Sequence, residues 1–324
     1  DGGYTADPHF RLKLDPRVST LFFAETDGNA PMELVAAHAE GATVYTFEQG
    51  KLAEATAPRF PSLLPSNSKQ PVFLRDTAAD LDGDGIDEWI VPIATGYQIR
   101  TPNDGLADIS CDVVSEIRAG ETVNITYRLP SCHPFSLPGE PNKALAFLSD
   151  EYADFAHGEQ WSKTSRYKIP VSLDEKWEAR ASMEDIDGNG LPDLIVTQTR
   201  GTMNIETKTH VYLASAPFTY PDEPTAAFSA RGAVAGASLI DVDGDEKKDV
   251  VFVSVPFGLR NIVNFFTRGK VSVRVEVHPF QNGMFTEKPS FEESFLLEAP
   301  EGREQIAYTL GDFNGDGRMD AAFG

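Results

Sequence analysis

Asp80-Leu81-Asp82-Gly83-Asp84-Gly85-Ile86-Asp87-Glu88, followed at once by Trp89-Ile90-Val91, is the stretch on which the fold turns. Oxygen-bearing side chains stand at loop positions 1, 3, 5 and 9, glycines at 4 and 6, and an apolar, strand-like run begins at position 10. The same arrangement returns as Asp185-Ile186-Asp187-Gly188-Asn189-Gly190-Leu191-Pro192-Asp193 before Leu194-Ile195-Val196. It returns again as Asp241-Val242-Asp243-Gly244-Asp245-Glu246-Lys247-Lys248-Asp249 before Val250-Val251-Phe252, and as Asp312-Phe313-Asn314-Gly315-Asp316-Gly317-Arg318-Met319-Asp320 before Ala321-Ala322-Phe323. A weaker copy, Glu25 to Glu33, precedes Leu34-Val35-Ala36.

A recurring unit is the first thing to establish in a chain of this length. The copies begin at residues 25, 80, 185, 241 and 312, so most are spaced by 55 to 71 residues, and one gap of 105 is about twice that. Either one copy in that gap has lost its loop, for which Leu148 to Asp154 is the candidate, or a large insertion fills it. Between the loops the chain alternates as strands do, as in Val271, Val273, Val275 and Val277. Twenty-two prolines and 26 glycines punctuate it, and no long amphipathic helix is evident. Units of this size with several short strands predict an all-β fold, a β-propeller with blades of about 55–70 residues filling 1–324, in preference to a β-sandwich bearing metal loops. The chain stops inside the strand that follows its last loop, so the expectation is an incomplete ring of a longer protein.

The chain carries 50 Asp plus Glu against 28 Lys plus Arg, a net charge of −22. That balance argues against a nucleic-acid partner and against anionic membranes. The most apolar stretch, Val250 to Leu259, is about half of what a membrane span needs. Calcium gives the carboxylates a use. It takes six to eight oxygen ligands, and an Asp-x-Asp-x-Asp spacing lets a tight turn aim several at one point. Glycine at positions 4 and 6 supplies the positive φ that such a turn needs. An EF-hand starts similarly but requires a bidentate Glu at position 12 and a flanking helix. Position 12 here is Val91, Val196, Phe252 and Phe323, all apolar and all in strand-like runs.

The loops and their following strands resemble the FG-GAP and VCBS repeats of integrin α-chain propellers and bacterial surface proteins. The resemblance implies a set of calcium ligands in each loop. They are Asp80, Asp82, Asp84, the Ile86 carbonyl and Glu88; Asp185, Asp187, Asn189, the Leu191 carbonyl and Asp193; Asp241, Asp243, Asp245, the Lys247 carbonyl and Asp249; and Asp312, Asn314, Asp316, the Arg318 carbonyl and Asp320. That makes about four calcium sites, with a fifth near Glu25–Glu33 less well furnished, since Ala30 replaces the second glycine there. Glu246 stands where the other clear loops have glycine, which predicts local strain.

Cys111 and Cys132, an even pair in an acidic β-rich chain, predict one disulfide and an oxidising compartment. Both lie in 98–142, a stretch that departs from the repeat and reads as an insertion within a blade. The six histidines are scattered, and no hydrolase elbow, zinc-protease motif or phosphate-binding loop is present. The expected function is therefore a secreted, periplasmic or cell-surface binding, adhesion or assembly module with structural calcium and a protein or carbohydrate partner. A propeller domain of a carbohydrate- or lipid-active enzyme is the alternative.

Overall fold

The computed structural model describes residues 11–323 apart from 49–50, 66–69, 75–76, 120–122, 171–176, 203–204, 233–234, 257, 259–266, 299–307 and 312–319. The described chain is almost entirely antiparallel β-structure, with a single short 3-10 turn at Glu159–Trp161. The repeated unit is a four-stranded meander. Sheet 1 comprises Thr20–Ala24, Glu33–His38, Gly41–Glu48 and Lys51–Thr56, with Val72–Phe73 added in parallel at its edge. Sheet 2 comprises Ala78–Ala79, Glu88–Ile93, Gly96–Arg100 and Gly105–Ser110. Sheet 3 comprises Ser131–Phe135, Ala144–Leu148, Tyr152–His157 and Lys163–Lys168. Sheet 4 is built from Glu178–Glu184, Asp193–Arg200, Ile205–Tyr212 and Ala226–Gly232, and sheet 5 from Ala235–Ile240, Asp249–Ser254, Lys270–His278 and Phe291–Glu298. Tyr308–Gly311 pairs with Asp320–Phe323 in a further two-stranded ladder.

Each acidic loop joins the first strand of its meander to the second. The residues that follow the loop in the second strand, such as Trp89-Ile90-Val91 and Leu194-Ile195-Val196, are apolar because both faces of the strand are covered there. In sheet 2, Trp89 and Val91 point into a cluster with Phe22, Val35 and Val44 of sheet 1, where Phe22 meets the Trp89 ring edge-on at 5.6 Å. Ile90, one residue out of phase, joins Ile99, Leu145, Phe147 and Trp161 on the opposite face. The contacts split the chain into two compact units, residues 1–147 with 154–166 and residues 148–153 with 167–324. The core of the second unit gathers Ile186, Ile195, Val211, Val250, Phe252, Phe280 and Phe285.

The long gap in the repeat holds a loop after all, at a place other than the one expected. Residues 148–154 span the end of the second strand of sheet 3, a turn at 149–151 and the start of the third strand, closed by a hydrogen bond from Ser149 N–H to the Tyr152 carbonyl at 2.9 Å. The first-to-second-strand connection is instead Ser136–Lys143, leading into Ala144. It keeps what the backbone needs: Gly139 has φ 82°, and Leu137, 5% exposed, fills the position of Leu81 and Ile186. Its ligand set is broken, with Pro138 at position 3, Ala144 at position 9, and the Glu140 carboxylate at position 5 taken by Gly158 N–H at 3.0 Å.

The stretch 98–142 is divided by the fold. Its ends belong to the strands of sheets 2 and 3, and the part outside the four-stranded sheets is a two-stranded hairpin, Val114–Ala119 with Val123–Arg128. The expected disulfide is not formed. Cys111 and Cys132 are both free thiols, packed half-buried at the margin of the cluster around Ile109 and Phe147. Burial pushes the Cys111 thiol up to about 11 and also raises that of Cys132, so both stay protonated and behave as small apolar groups.

Candidate metal centres

Loop 80–88 is folded by its own carboxylates. Asp80 accepts hydrogen bonds from Gly83 N–H (2.7 Å) and Gly85 N–H (3.2 Å), one on each oxygen. Asp82 accepts from Asp84 N–H at 3.1 Å, and Asp84 from Ile86 N–H at 2.8 Å. Gly83 and Gly85 sit at φ 82° and 88°, which is why glycine is needed there. Loop 185–193 repeats the scheme. Asp185 takes Gly188 and Gly190 N–H, both at 2.9 Å, Asp187 takes Asn189 N–H at 3.1 Å, and Asn189 Oδ1 takes Leu191 N–H at 2.7 Å.

In loop 241–249, Asp241 receives Gly244 and Glu246 N–H at 2.7 and 3.0 Å, and Asp245 receives Lys247 N–H at 3.0 Å. Glu246 occupies the second glycine position at φ 67°, the left-handed conformation that costs an L-residue about 1–2 kcal/mol. The strain read from the sequence is present.

Position 9 is the buried member of each loop. It accepts the N–H of position 2: Leu81 to Glu88 Oε2 at 2.7 Å, Ile186 to Asp193 Oδ2 at 2.8 Å, Val242 to Asp249 Oδ2 at 3.1 Å. The shorter Asp side chains use their second oxygen as well. Ala214 N–H reaches Asp193 Oδ1 at 2.7 Å, and Phe280 N–H reaches Asp249 Oδ1 at 2.9 Å. Glu88 differs: it is 1% exposed, and its Oε1 has no hydrogen-bond partner among the described residues. Burial, reinforced by Asp82, Asp84 and Asp80, pushes the Glu88 carboxyl up to about 7. Burial and the charges of Asp187 and Asp185 do the same to Asp193, also to about 7, and burial raises Asp249.

Four acidic groups each bring carboxylate oxygens within 4.8 Å of one another: Asp80, Asp82 and Glu88; Asp185, Asp187 and Asp193; Asp241, Asp243 and Asp245; and Glu25, Asp27 and Glu33. Each can hold a metal ion. Three of them fall in loops named from the sequence. The fourth assembles in the weaker first loop, where Gly28 N–H binds Glu25 at 2.8 Å and Thr26 N–H binds Glu33 at 2.8 Å. Asp84 and Asp249 lie in their loops but outside these tight groups. Of the fourth predicted set, Asp312, Asn314, Asp316 and Arg318 lie outside the described residues, and Asp320 opens the final strand. The donors on Asp193 and Asp249 that come from Ala214 and Phe280 were not legible, because a backbone N–H carries no residue signature.

Hard carboxylate oxygens packed this closely repel one another and suit a hard divalent cation. Each carboxylate oxygen that accepts one N–H still has a lone pair to offer. Glu88 joins Asp80 and Asp82 in such a group, and its buried Oε1, without a hydrogen-bond partner among the described residues, is the clearest unfilled valence.

No curated protein matches the sequence. Among solved structures, a mutant Tc holotoxin pore of Photorhabdus luminescens is similar at 14% identity with a TM-score of 0.36. The match covers 94% of this chain, which spans only 13% of the length of that one. A profile of the FG-GAP-like repeat matches residues 185–252, a span that opens on Asp185, includes loop 241–249 and ends on the strand residue Phe252. Residues 185–252 are therefore an FG-GAP-like repeat.

Proposed function

We propose that this chain is a calcium-binding β-propeller module that works outside the cytoplasm by binding or assembly, with the metal in a structural role. The observation that carries the reading is the buried Glu88, whose carboxylate groups with those of Asp80 and Asp82 and whose Oε1 has no hydrogen-bond partner among the described residues. Leaving such an acceptor bare costs about 1–3 kcal/mol, and an oxygen-seeking cation removes that cost. Calcium fits better than magnesium because the loop offers many oxygens of mixed kind, whereas magnesium demands a strict octahedron and retains its waters. The five meanders, each with its loop between first and second strands, support propeller blades as the architecture. The ion would be held by Asp80, Asp82 and Glu88, by Asp185, Asp187 and Asp193, and by Asp241, Asp243 and Asp245. Bound calcium supplies charge neutralisation and a cross-link within each loop.

The partner-facing element on this reading is the hairpin Val114–Ala119/Val123–Arg128. Ile117 and Ile125 are cross-strand neighbours on one face, 69% and 50% exposed, with Tyr127 beside them. An aliphatic patch of this kind suits a protein partner. Two measurements test the proposal. Calorimetric titration should show saturable calcium binding with Kd on the order of 10⁻⁴–10⁻³ M and much weaker magnesium binding. The absence of a calcium isotherm would end the reading. Replacing residues 113–129 by a short glycine-serine turn should abolish partner capture or assembly while leaving the calcium isotherm unchanged, and retention of both moves the recognition surface elsewhere.

A further inference from the structure

Neighbouring loops are tied to each other by hydrogen bonds of their backbone N–H groups. The residue at position 2 faces two ways. Its N–H goes to the position-9 carboxylate of its own loop, as Ile186 N–H goes to Asp193. Its carbonyl receives the position-8 N–H of the following loop: Lys248 N–H to the Ile186 carbonyl at 2.8 Å, and Lys143 N–H to the Leu81 carbonyl at 2.7 Å. Loops 25–33 and 80–88 are joined in a related way. Asp87 N–H reaches the Glu25 carbonyl at 2.7 Å, and Glu25 N–H reaches Asp87 Oδ2 at 2.8 Å. The pairing of loops 185–193 and 241–249 has two further supports. A Cβ added to Gly188 would stand 3.8 Å from the Glu246 carbonyl, and Lys248 Nζ lies 3.4 Å from Glu184 Oε1, just ahead of Asp185.

The residue at position 8 decides where this wiring can run. Loop 185–193 has Pro192 there, which has no N–H to give. Loop 80–88 is wired forward only to Lys143, in the connection that lacks Asp or Glu at positions 1, 3 and 9. Loops 185–193 and 241–249 therefore form a wired pair in which both members carry acidic clusters.

We propose that metal binding at loops 185–193 and 241–249 is positively coupled through the Ile186–Lys248 hydrogen bond, and that loop 80–88 fills independently of them. This rests on the calcium reading above. A cation that draws Asp185, Asp187 and Asp193 together fixes the Ile186 backbone through the Asp193 hydrogen bond. The fixed carbonyl then holds Lys248, the residue next to Asp249, so the second loop has less left to order when its own ion arrives. Coupling of this kind is reciprocal, and a factor of about 5 or more is the ordinary scale.

The test is a calcium titration followed by NMR at three glycine N–H groups that report single loops. Gly85, Gly190 and Gly244 each donate to the position-1 carboxylate of their own loop. Disabling the first member of the pair with Asp185→Asn/Asp187→Asn should raise the Gly244 midpoint about fivefold or more and leave Gly85 unmoved. Disabling the second with Asp241→Asn/Asp243→Asn should raise the Gly190 midpoint by the same factor. Lys248→Pro, which copies the residue found in loop 185–193, should keep both sites but uncouple them, whereas Lys248→Ala, which retains the N–H, should stay coupled. A Gly244 midpoint unmoved by the loss of loop 185–193, or coupling that persists in Lys248→Pro, overturns the proposal. If the proline variant does not fold, the loop-disabling variants decide on their own. Wild-type glycine signals indifferent to calcium would remove the calcium reading together with this one; binding without coupling removes this one alone.

Discussion

Replacing Glu88 by Gln should stabilise the protein in chelator, and calcium should cancel most of that gain. In chelator at pH 8, the wild-type protein holds an ionised carboxylate that is 1% exposed, has one oxygen unpaired, and lies among Asp80, Asp82 and Asp84. Gln keeps the shape and an acceptor for Leu81 N–H, removes the charge, and replaces the unpaired oxygen by an amide donor among the neighbouring carboxylates. An unmet buried acceptor costs about 1–3 kcal/mol, so relief of about 1–2 kcal/mol is expected, or roughly 2–4 °C in Tm for each kcal/mol in a unit of this size. In calcium the variant loses a charged ligand. At 100 times Kd a site adds about 2.7 kcal/mol, and a tenfold weaker site at the same calcium adds about 1.4 kcal/mol. The calcium-induced rise contributed by this loop should therefore fall by about half. Thermal melts of both proteins in calcium and in chelator read all four values. Equal destabilisation by Glu88→Gln in both buffers would show that Glu88 is only a hydrogen-bonding strut, and the reasoning would fail.

Three further outcomes follow from the loops and the thiols. Glu88 and Asp193 titrate near 7 in the fold and near 4 when unfolded, so the folded protein holds more protons; in chelator its stability should be greatest below pH 4 to 5 as far as these groups are concerned and fall as pH rises through about 7, with calcium suppressing the fall, and melts that run parallel across this window in both buffers contradict it. Glu246→Gly removes a left-handed L-residue worth about 1–2 kcal/mol against a glycine entropy cost of about 0.5–1 kcal/mol, so urea unfolding should show a net gain of about 0.5–1 kcal/mol, and a loss would mean that the Glu246 side chain matters more than its backbone. Alkylation of the unfolded chain without reductant should label both Cys111 and Cys132; an unlabelled protein by intact mass would restore the bond that the fold leaves open.

The loops and the strands behind them were legible because side-chain chemistry and backbone geometry coincide there. Asp80 and Asp185 fold the turn with the same carboxylates that would bind the metal, and glycine marks the positive φ beside them. Where chemistry and geometry part company, the sequence misleads. The connection at Ser136–Lys143 preserves Gly139 and the buried Leu137 but no ligand set, so Ser149-Asp150-Glu151 drew attention through its oxygens although it is an ordinary strand turn. The Ala214 and Phe280 donors lie 21 and 31 residues from the carboxylates they satisfy, and only the paired strands bring them there. The cysteines illustrate the same limit. An even count suggests a bond, but both thiols serve as filling beside Phe147.

The most direct test of the central claim is the melting temperature of the wild-type protein in millimolar calcium against the same protein in chelator. A calcium-binding repeat predicts a clear rise in calcium, on the order of 2.7 kcal/mol for each site held at 100 times its Kd, and little rise when magnesium replaces calcium. Superimposable curves in calcium and chelator would contradict it, and the acidic loops would then be turns held by their own hydrogen bonds and nothing more.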